Sequence, residues 1–214
     1  MDATFFLSLV ISYLFGSIPF TQIVASLVKH VDLRKVGSHN VGGRNLTRQA
    51  GLLWGILGGA GDVAKGAAGI LVAQALGVQM PLILFNGPAA VAGHNWPIWL
   101  KFQGGKGVLT ALGAIGAIAF PEVAIAFVVG IAILIPTHNI VASAVPGFLT
   151  MLILSIVFER PVEITWFIIG TWAVVFLAGL PETIKKLITP GAISEYFREP
   201  DRVYREEDKQ RMKK

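Results

Sequence analysis

The chain has 214 residues, of which 54% are hydrophobic and only 14% charged, with a net charge of +5 and a mean hydropathy of +0.66. That balance is too apolar for a soluble domain and points to an integral membrane protein of one domain. With no cysteine, disulfides, thiol nucleophiles and thiolate metal sites are excluded.

A membrane-crossing helix needs about 20 mainly apolar residues. Apolar runs at 3–28, 52–76, 81–100, 108–120, 123–135, 140–158 and 164–180 predict an all-α, seven-helix membrane bundle. The first run has no basic segment before it and is long for a signal peptide, so it reads as a retained span. The fourth and fifth runs are short, and the break between them is expected at Pro121 and Glu122. All but two of the 18 Lys and Arg lie in loops on one side of this arrangement; Arg160 is on the other side and Lys65 within the second span. The positive-inside rule then puts the amino terminus outside and the carboxyl terminus in the cytoplasm. The basic excess follows from that topology, so nucleic acid is not an expected partner. Residues 1–190 form the expected membrane domain and 191–214 a charged cytoplasmic tail that can meet anionic lipid.

Four polar clusters border or interrupt the spans, where polar groups are costly and so are usually paired or functional. The first is the polar turn VGSHNVGGRNLTR at 36–48, with Gly37, Ser38, Asn40, Gly42, Asn45 and Arg48. Its glycines allow a tight backbone with N–H groups facing an anion, and its arginines add fixed charge, a combination that suits phosphate. A glycine-rich, basic cytoplasmic loop is the plainer reading of the same residues. The second cluster is Asp62 with Lys65, an i,i+3 pair that reads first as an internal salt bridge and otherwise as a holder for an anion-binding cation.

The third cluster, GHNWPIWLKFQGGKG at 93–107, contains His94 and a second glycine-and-lysine turn, Gly104, Gly105, Lys106 and Gly107. That turn can present backbone N–H groups and one ammonium to a phosphate, but it lacks the glycine spacing and following hydroxyl of a nucleotide P-loop. His94 equally suits an interhelical hydrogen bond, and Trp96 and Trp99 suit an interfacial aromatic belt. The fourth cluster is Glu182, followed by Lys185 and Lys186; His138 and Asn139 form a smaller polar turn. No His, Asp and Glu arrangement has metal-site spacing, so neither metal nor cofactor is expected.

With these motifs in place, the chain resembles the bacterial membrane glycerol-3-phosphate acyltransferases that use acyl phosphate as donor, the PlsY family. The matching pieces are GSIPF at 16–20, VDLRKVGSHNVGGRN at 31–45, GDVAKG at 61–66, AGH at 92–94 and LKFQGGKGV at 100–108. The resemblance implies a seven-helix bundle in the plasma membrane with its active site at the cytoplasmic face. It implies acyl transfer from acyl phosphate to the 1-hydroxyl of glycerol 3-phosphate, giving lysophosphatidic acid and phosphate, with an acyl-phosphate-supplying enzyme as partner. By position, Ser38, His94, Lys106 and Glu182 are its catalytic candidates. Gly37, Asn40, Gly42, Asn45, Arg48, Gly104, Gly105 and Gly107 would hold substrate phosphates, with Asp62 and Lys65 in support. His39 stands where the family has a small residue, Gly43 and Arg44 where it has Ala and Thr, and GLPET at 179–183 replaces a more polar string. Those departures raise a second expectation, an inactive or substrate-shifted paralogue that binds phospholipid or acyl phosphate.

Overall fold

The structure, a computed structural model, describes residues 2–137 and 140–188, apart from the side chains of 140, 141, 182, 183 and 185–188. His138, Asn139, the tail 191–214 and the side chains of Glu182, Lys185 and Lys186 therefore lie outside the described residues. Those described form helices and turns with no strand.

The first apolar run is two helices, α1 (Ala3–Ser17) and α2 (Phe20–Lys29). Pro19, which has no N–H to continue the ladder, stands at the break, where the Ile18 N–H donates to the Phe15 carbonyl and the Ile18 carbonyl accepts from Phe20 N–H at 3.0 Å. Next comes a departure from the expected polar turn, because its second half is helical: α3 runs over Gly43–Ala50. Gly51 then joins α3 to α4 (Leu52–Ala75) at φ 98°, a conformation that strains any residue with a Cβ.

The third apolar run departs further. In place of one spanning helix there is a 3-10 turn (Leu82–Phe85), a short α5 (Asn86–Asn95) and, beyond Pro97, a second 3-10 turn (Ile98–Leu100). Ten residues of helix reach only about 15 Å, half of a bilayer's hydrocarbon core. After the glycine loop, α6 (Val108–Gly116) is equally short, and α7 (Phe120–Thr137) follows. The break between them lies at 117–119, ahead of Pro121, which sits in the first turn of α7 where a missing N–H is harmless. Helices α8 (Ile140–Val157) and α9 (Val162–Ile188) complete the described chain. Among the described residues, four stretches are long and apolar enough to cross a membrane: 3–29, 52–75, 120–137 and 162–181.

Helix α1 packs on α4 and α5, and α4 on α6. Small residues make these contacts close: a Cβ on Gly16 would strike the Ala90 carbonyl, and one on Gly66 the Thr110 carbonyl. In lipid, where helices gain nothing by hiding apolar surface from one another, such backbone approach is a main source of attraction. Buried polar side chains pin the same junction. Ser12 Oγ lies 2.9 Å from the Gly69 carbonyl and 2.8 Å from Asn86 Oδ1, linking α1, α4 and α5. Away from this body, α7 pairs with α8, and Glu122 at the start of α7 takes a two-point ion pair from Arg160, at 2.6 and 3.2 Å.

Candidate functional site

The segment before α3 is shaped by its own side chains. Asn45 is buried, and its Nδ2 donates toward the carbonyls of Leu33, Val36 and Asn40 at 3.0–3.1 Å. Its Oδ1 faces the Ser38 N–H at 3.4 Å. Gly37, at φ 58°, packs against that same oxygen so closely that a Cβ would collide with it. Asn45 thus serves the loop as a staple. His39 is exposed and also left-handed, at φ 56°, with its Nδ1 2.9 Å from the Arg34 carbonyl; this strained turn redirects the chain toward α3.

A clasp joins this loop to the segment after α5. Arg34 pairs with Asp32 through Nη2 at 2.7 Å and Nε at 2.9 Å, and its Nη1 donates to the Leu100 carbonyl at 3.1 Å. The Arg34 hydrogen bond, more than its charge, holds the Asp32 carboxyl below the ordinary carboxylate range. Beneath the clasp, Ala25, Leu33, Val41, Leu46 and Leu100 form a small apolar core of their own. The first loop is therefore a packed subdomain with its own core.

The second glycine turn is folded onto the end of α5. Gly104 N–H donates to the Asn95 carbonyl at 3.1 Å and Gly105 N–H to the His94 carbonyl at 3.2 Å. These two amides, expected from the sequence to face an anion, are engaged by the protein's own backbone. A Cβ on Gly105 would overlap His94 Nε2 and stand 2.5 Å from the Val41 carbonyl. Gly105 is thus wedged between α5 and the first loop, and the two glycine segments touch there.

Both segments lead into helices that start on glycine with no side-chain cap: α3 after Gly42 and α6 after Gly107. The first intrahelical bonds are Leu46 N–H to the Gly42 carbonyl and Ala111 N–H to the Gly107 carbonyl. The first-turn amides of each helix, 43–45 and 108–110, have no partner in that ladder and lie at the positive end of the helix dipole. The two starts lie against the same stretch of α4, since a Cβ on Gly43 would come 3.7 Å from Gly59 Cα, and one on Gly59 2.9 Å from Leu109. Two uncapped helix amino termini converging on one spot, with Arg48 in α3 and Lys106 in the turn, are suited to bind anions.

Under this spot lies a buried charged group. Asp62 and Lys65, each with a side chain 1% exposed, pair at 2.9 Å. Thr21 Oγ1 donates to Asp62 Oδ2 at 3.2 Å, Lys65 Nζ donates to the Ile18 carbonyl at 2.8 Å, and His94 Nδ1 lies 3.5 Å from Asp62 Oδ1. The pair expected from the i,i+3 spacing is present, and through Lys65 it also reaches the α1–α2 break.

The structure thus gathers Gly37, Ser38, Asn40, Gly42, Asn45, Asp62, Lys65, His94, Gly104, Gly105, Lys106 and Gly107 at one end of the bundle, with Arg48 on the adjoining α3. Glu182 is in α9, and its side chain is outside the described residues. Sequence reasoning missed Thr21, which only the kink at Pro19 brings to Asp62. It also missed Asn95, whose Nδ2 donates to the Val174 carbonyl of α9 at 3.0 Å; its place directly after His94 in GHNWP was the available signal. Among the described residues, no group of three His, Asp or Glu is placed to hold a metal.

The glycerol-3-phosphate acyltransferase family profile matches residues 6–189. Glycerol-3-phosphate acyltransferase 4 of Dehalococcoides mccartyi is 35% identical over 80% of this chain and 92% of its own. Its counterpart from Aquifex aeolicus is 35% identical over 84% and 93%, respectively. The crystal structure of PlsY (YgiH), an integral membrane glycerol 3-phosphate acyltransferase, in its glycerol 3-phosphate form is similar at a TM-score of 0.77 and 32% identity. That likeness covers 87% of this chain and 92% of the other. The lysophosphatidic acid form is similar at a TM-score of 0.76 and 28% identity.

Proposed function

Because the chain belongs to the glycerol-3-phosphate acyltransferase family, we propose that it acylates glycerol 3-phosphate to lysophosphatidic acid, with acyl phosphate as the donor. The observation that carries this reading to particular residues is the meeting of two uncapped helix starts beside Lys106. Donor and acceptor each carry a phosphate, so a site for both needs two anion cradles side by side. The donor's hydrocarbon tail needs lipid alongside, which a multi-pass membrane protein provides.

In this reaction the 1-hydroxyl oxygen attacks the acyl carbonyl carbon, the bond from that carbon to the phosphate oxygen breaks, and inorganic phosphate leaves with the electron pair. The hydroxyl proton passes to a substrate phosphate. The protein's contribution is orientation and charge stabilisation. Lys106 and Arg48 supply positive charge, Ser38 and Asn40 supply polar side chains, and the first turns of α3 and α6 supply N–H groups. Glu182 is assigned to orienting the acceptor. Gly37, Gly42, Gly104, Gly105 and Gly107 let backbone and substrate approach, and Asn45, Asp62 and Lys65 hold the walls.

The charge sorting of the loops supports seven membrane segments in the plasma membrane, with the amino terminus outside and this site at the cytoplasmic face. The same reading takes residues 1–190 as the catalytic unit and 191–214 as its charged tail. It also requires a partner enzyme that supplies the acyl phosphate. No observation of this site favours an inactive binder over the enzyme.

The test is single-turnover formation of lysophosphatidic acid by purified protein from palmitoyl phosphate and labelled glycerol 3-phosphate, with Lys106→Ala as control. Product that depends on Lys106 is expected. Folded protein that binds both substrates and yields none would overturn the reading.

A further inference from the structure

We propose that His94, set against Asp62, and Asn95, tied to the Val174 carbonyl of α9, are positioning residues that mould the Lys106 loop. The kinetic part of this inference rests on the acyltransferase reading of the site; the moulding itself does not.

The two residues shape three of the four loop positions. The Asn95 carbonyl takes the Gly104 N–H and the His94 carbonyl takes the Gly105 N–H. The His94 ring fills the space where Gly105 would carry a Cβ, and Asn95 Oδ1 stands 2.5 Å from the corresponding point on Gly107. Lys106 lies between Gly105 and Gly107, so its backbone is set from both sides by consecutive residues of α5. Each side chain also meets a second element. His94 Nδ1 faces Asp62, which Lys65 and Thr21 hold in turn, and Asn95 reaches the Val174 carbonyl. The loop is thereby registered against α4, the α1–α2 break and α9, the helix that carries Glu182.

The same packing limits what His94 can reach. A general base needs a ring nitrogen within hydrogen-bond reach of the hydroxyl it serves. Nδ1 of His94 is turned to Asp62 and Nε2 lies against the Gly105 backbone, and the residue as a whole is 6% exposed. What remains for it is to fix where the Lys106 ammonium stands, and displacement of such a group by 1 Å costs about 100-fold in rate.

Full-length protein carrying His94→Gln, His94→Ala, Asn95→Ala or Lys106→Ala, and the His94→Ala/Lys106→Ala double variant, tests this. The measurements are kcat and KM for palmitoyl phosphate and glycerol 3-phosphate across pH, the melting temperature, and hydrogen exchange of the 104–107 amides. His94→Ala and Asn95→Ala should speed exchange in the loop, and His94→Ala should lower kcat about 100-fold. His94→Gln, which keeps a planar polar group against Asp62, should recover most of that rate with an unchanged pH profile. In the double variant the two losses should not add, because a displaced lysine has little left to lose.

A pH profile that loses a limb in His94→Gln, with the rate as low as in His94→Ala, would assign His94 to proton transfer and overturn the proposal. So would wild-type rate and exchange in His94→Ala. If His94→Ala does not fold, His94→Gln and Asn95→Ala decide by the same readouts. An inactive wild type sinks the acyltransferase reading, while the exchange data still decide the moulding.

Discussion

The body built from α1 to α6 and the hairpin of α7 and α8 lie in one bundle but are held by different physics. In the most apolar stretch of α4, 44% of residues are buried, against 11% in that of α7. Helix α4 meets its neighbours backbone to backbone at glycines such as Gly66, and carries Asp62 and Lys65 where only packed protein can satisfy them. Helix α7 offers Phe127 and Val128 outward, and its described charged tie is the clasp of Glu122 with Arg160. A polar site needs short, interrupted helices whose ends and carbonyls are available inside the protein. Uninterrupted apolar helices satisfy their own backbones and have nothing to offer a phosphate.

The comparison is broken most simply on activity. Lys106→Ala should lower lysophosphatidic acid formation about 1,000-fold, the scale of losing a charge-stabilising donor, while Phe127→Ala on α7 should leave the rate unchanged. Parallel initial rates with melting curves check both, and equal losses would mean that the site extends to the hairpin. Stability comes next. Gly66→Ala drives a methyl into the Thr110 carbonyl and should cost about 1–3 kcal/mol, as overpacking usually does. Gly170→Ala, with nothing within 4 Å of the new methyl, should be neutral or gain up to about 1 kcal/mol of helix propensity. Melting in detergent distinguishes them, and a neutral Gly66→Ala would show that α4 and α6 are free to separate.

The same contrast explains what could be read ahead of the structure. Each of the seven apolar runs contains helix, although the first is two helices and the third only a short one between turns, because long stretches of Leu, Ile, Val and Phe in lipid have little alternative to satisfying their own backbone. The Asp62–Lys65 pair was legible from its spacing, and both glycine turns from their composition. The lengths of α5 and α6 were not, because Pro97 and the turn at 117–119 end them for local reasons within continuous apolar sequence. Helix α3 was hidden because GRNLTRQA carries no long apolar period and starts on glycine without a Ser or Asp cap. The engagement of the Gly104 and Gly105 amides, Asn45's role as a staple and Thr21's contact with Asp62 all depend on partners distant in the chain or on a kink.

On the hairpin, Glu122→Gln should sharpen the contrast. Glu122 is fully buried while the Arg160 side chain is 34% exposed, so the pair falls between a surface bridge and a buried one. Neutralising it should cost about 1–2 kcal/mol of stability. Activity at the far glycine loops should not change. A melting shift with an intact rate is the expected outcome; a rate that falls with the melting temperature would couple the hairpin to the site.

The smallest effect belongs to the body's own surface, at the Asp32–Arg34 clasp. Asp32 is held below its ordinary range chiefly by the Arg34 hydrogen bond. A carboxyl depressed in this way adds stability that is fully present above its unfolded value, about 3.9, and fades as pH falls through the depressed folded value. The clasp should therefore be intact at neutral and mildly acid pH and open only in stronger acid. Both side chains are about a quarter exposed, which limits the pair to under about 1 kcal/mol. Asp32→Asn at pH 7 imitates the acid-opened state. Because Arg34 also holds the Leu100 carbonyl, its slackening should reach the Lys106 loop as a loss of about fivefold at most in rate, the equivalent of 1 kcal/mol. Initial rates at pH 7 check this. A loss near that of Lys106→Ala would place the clasp inside the site, and no loss at all would show that the loop keeps its register from His94 and Asn95 alone.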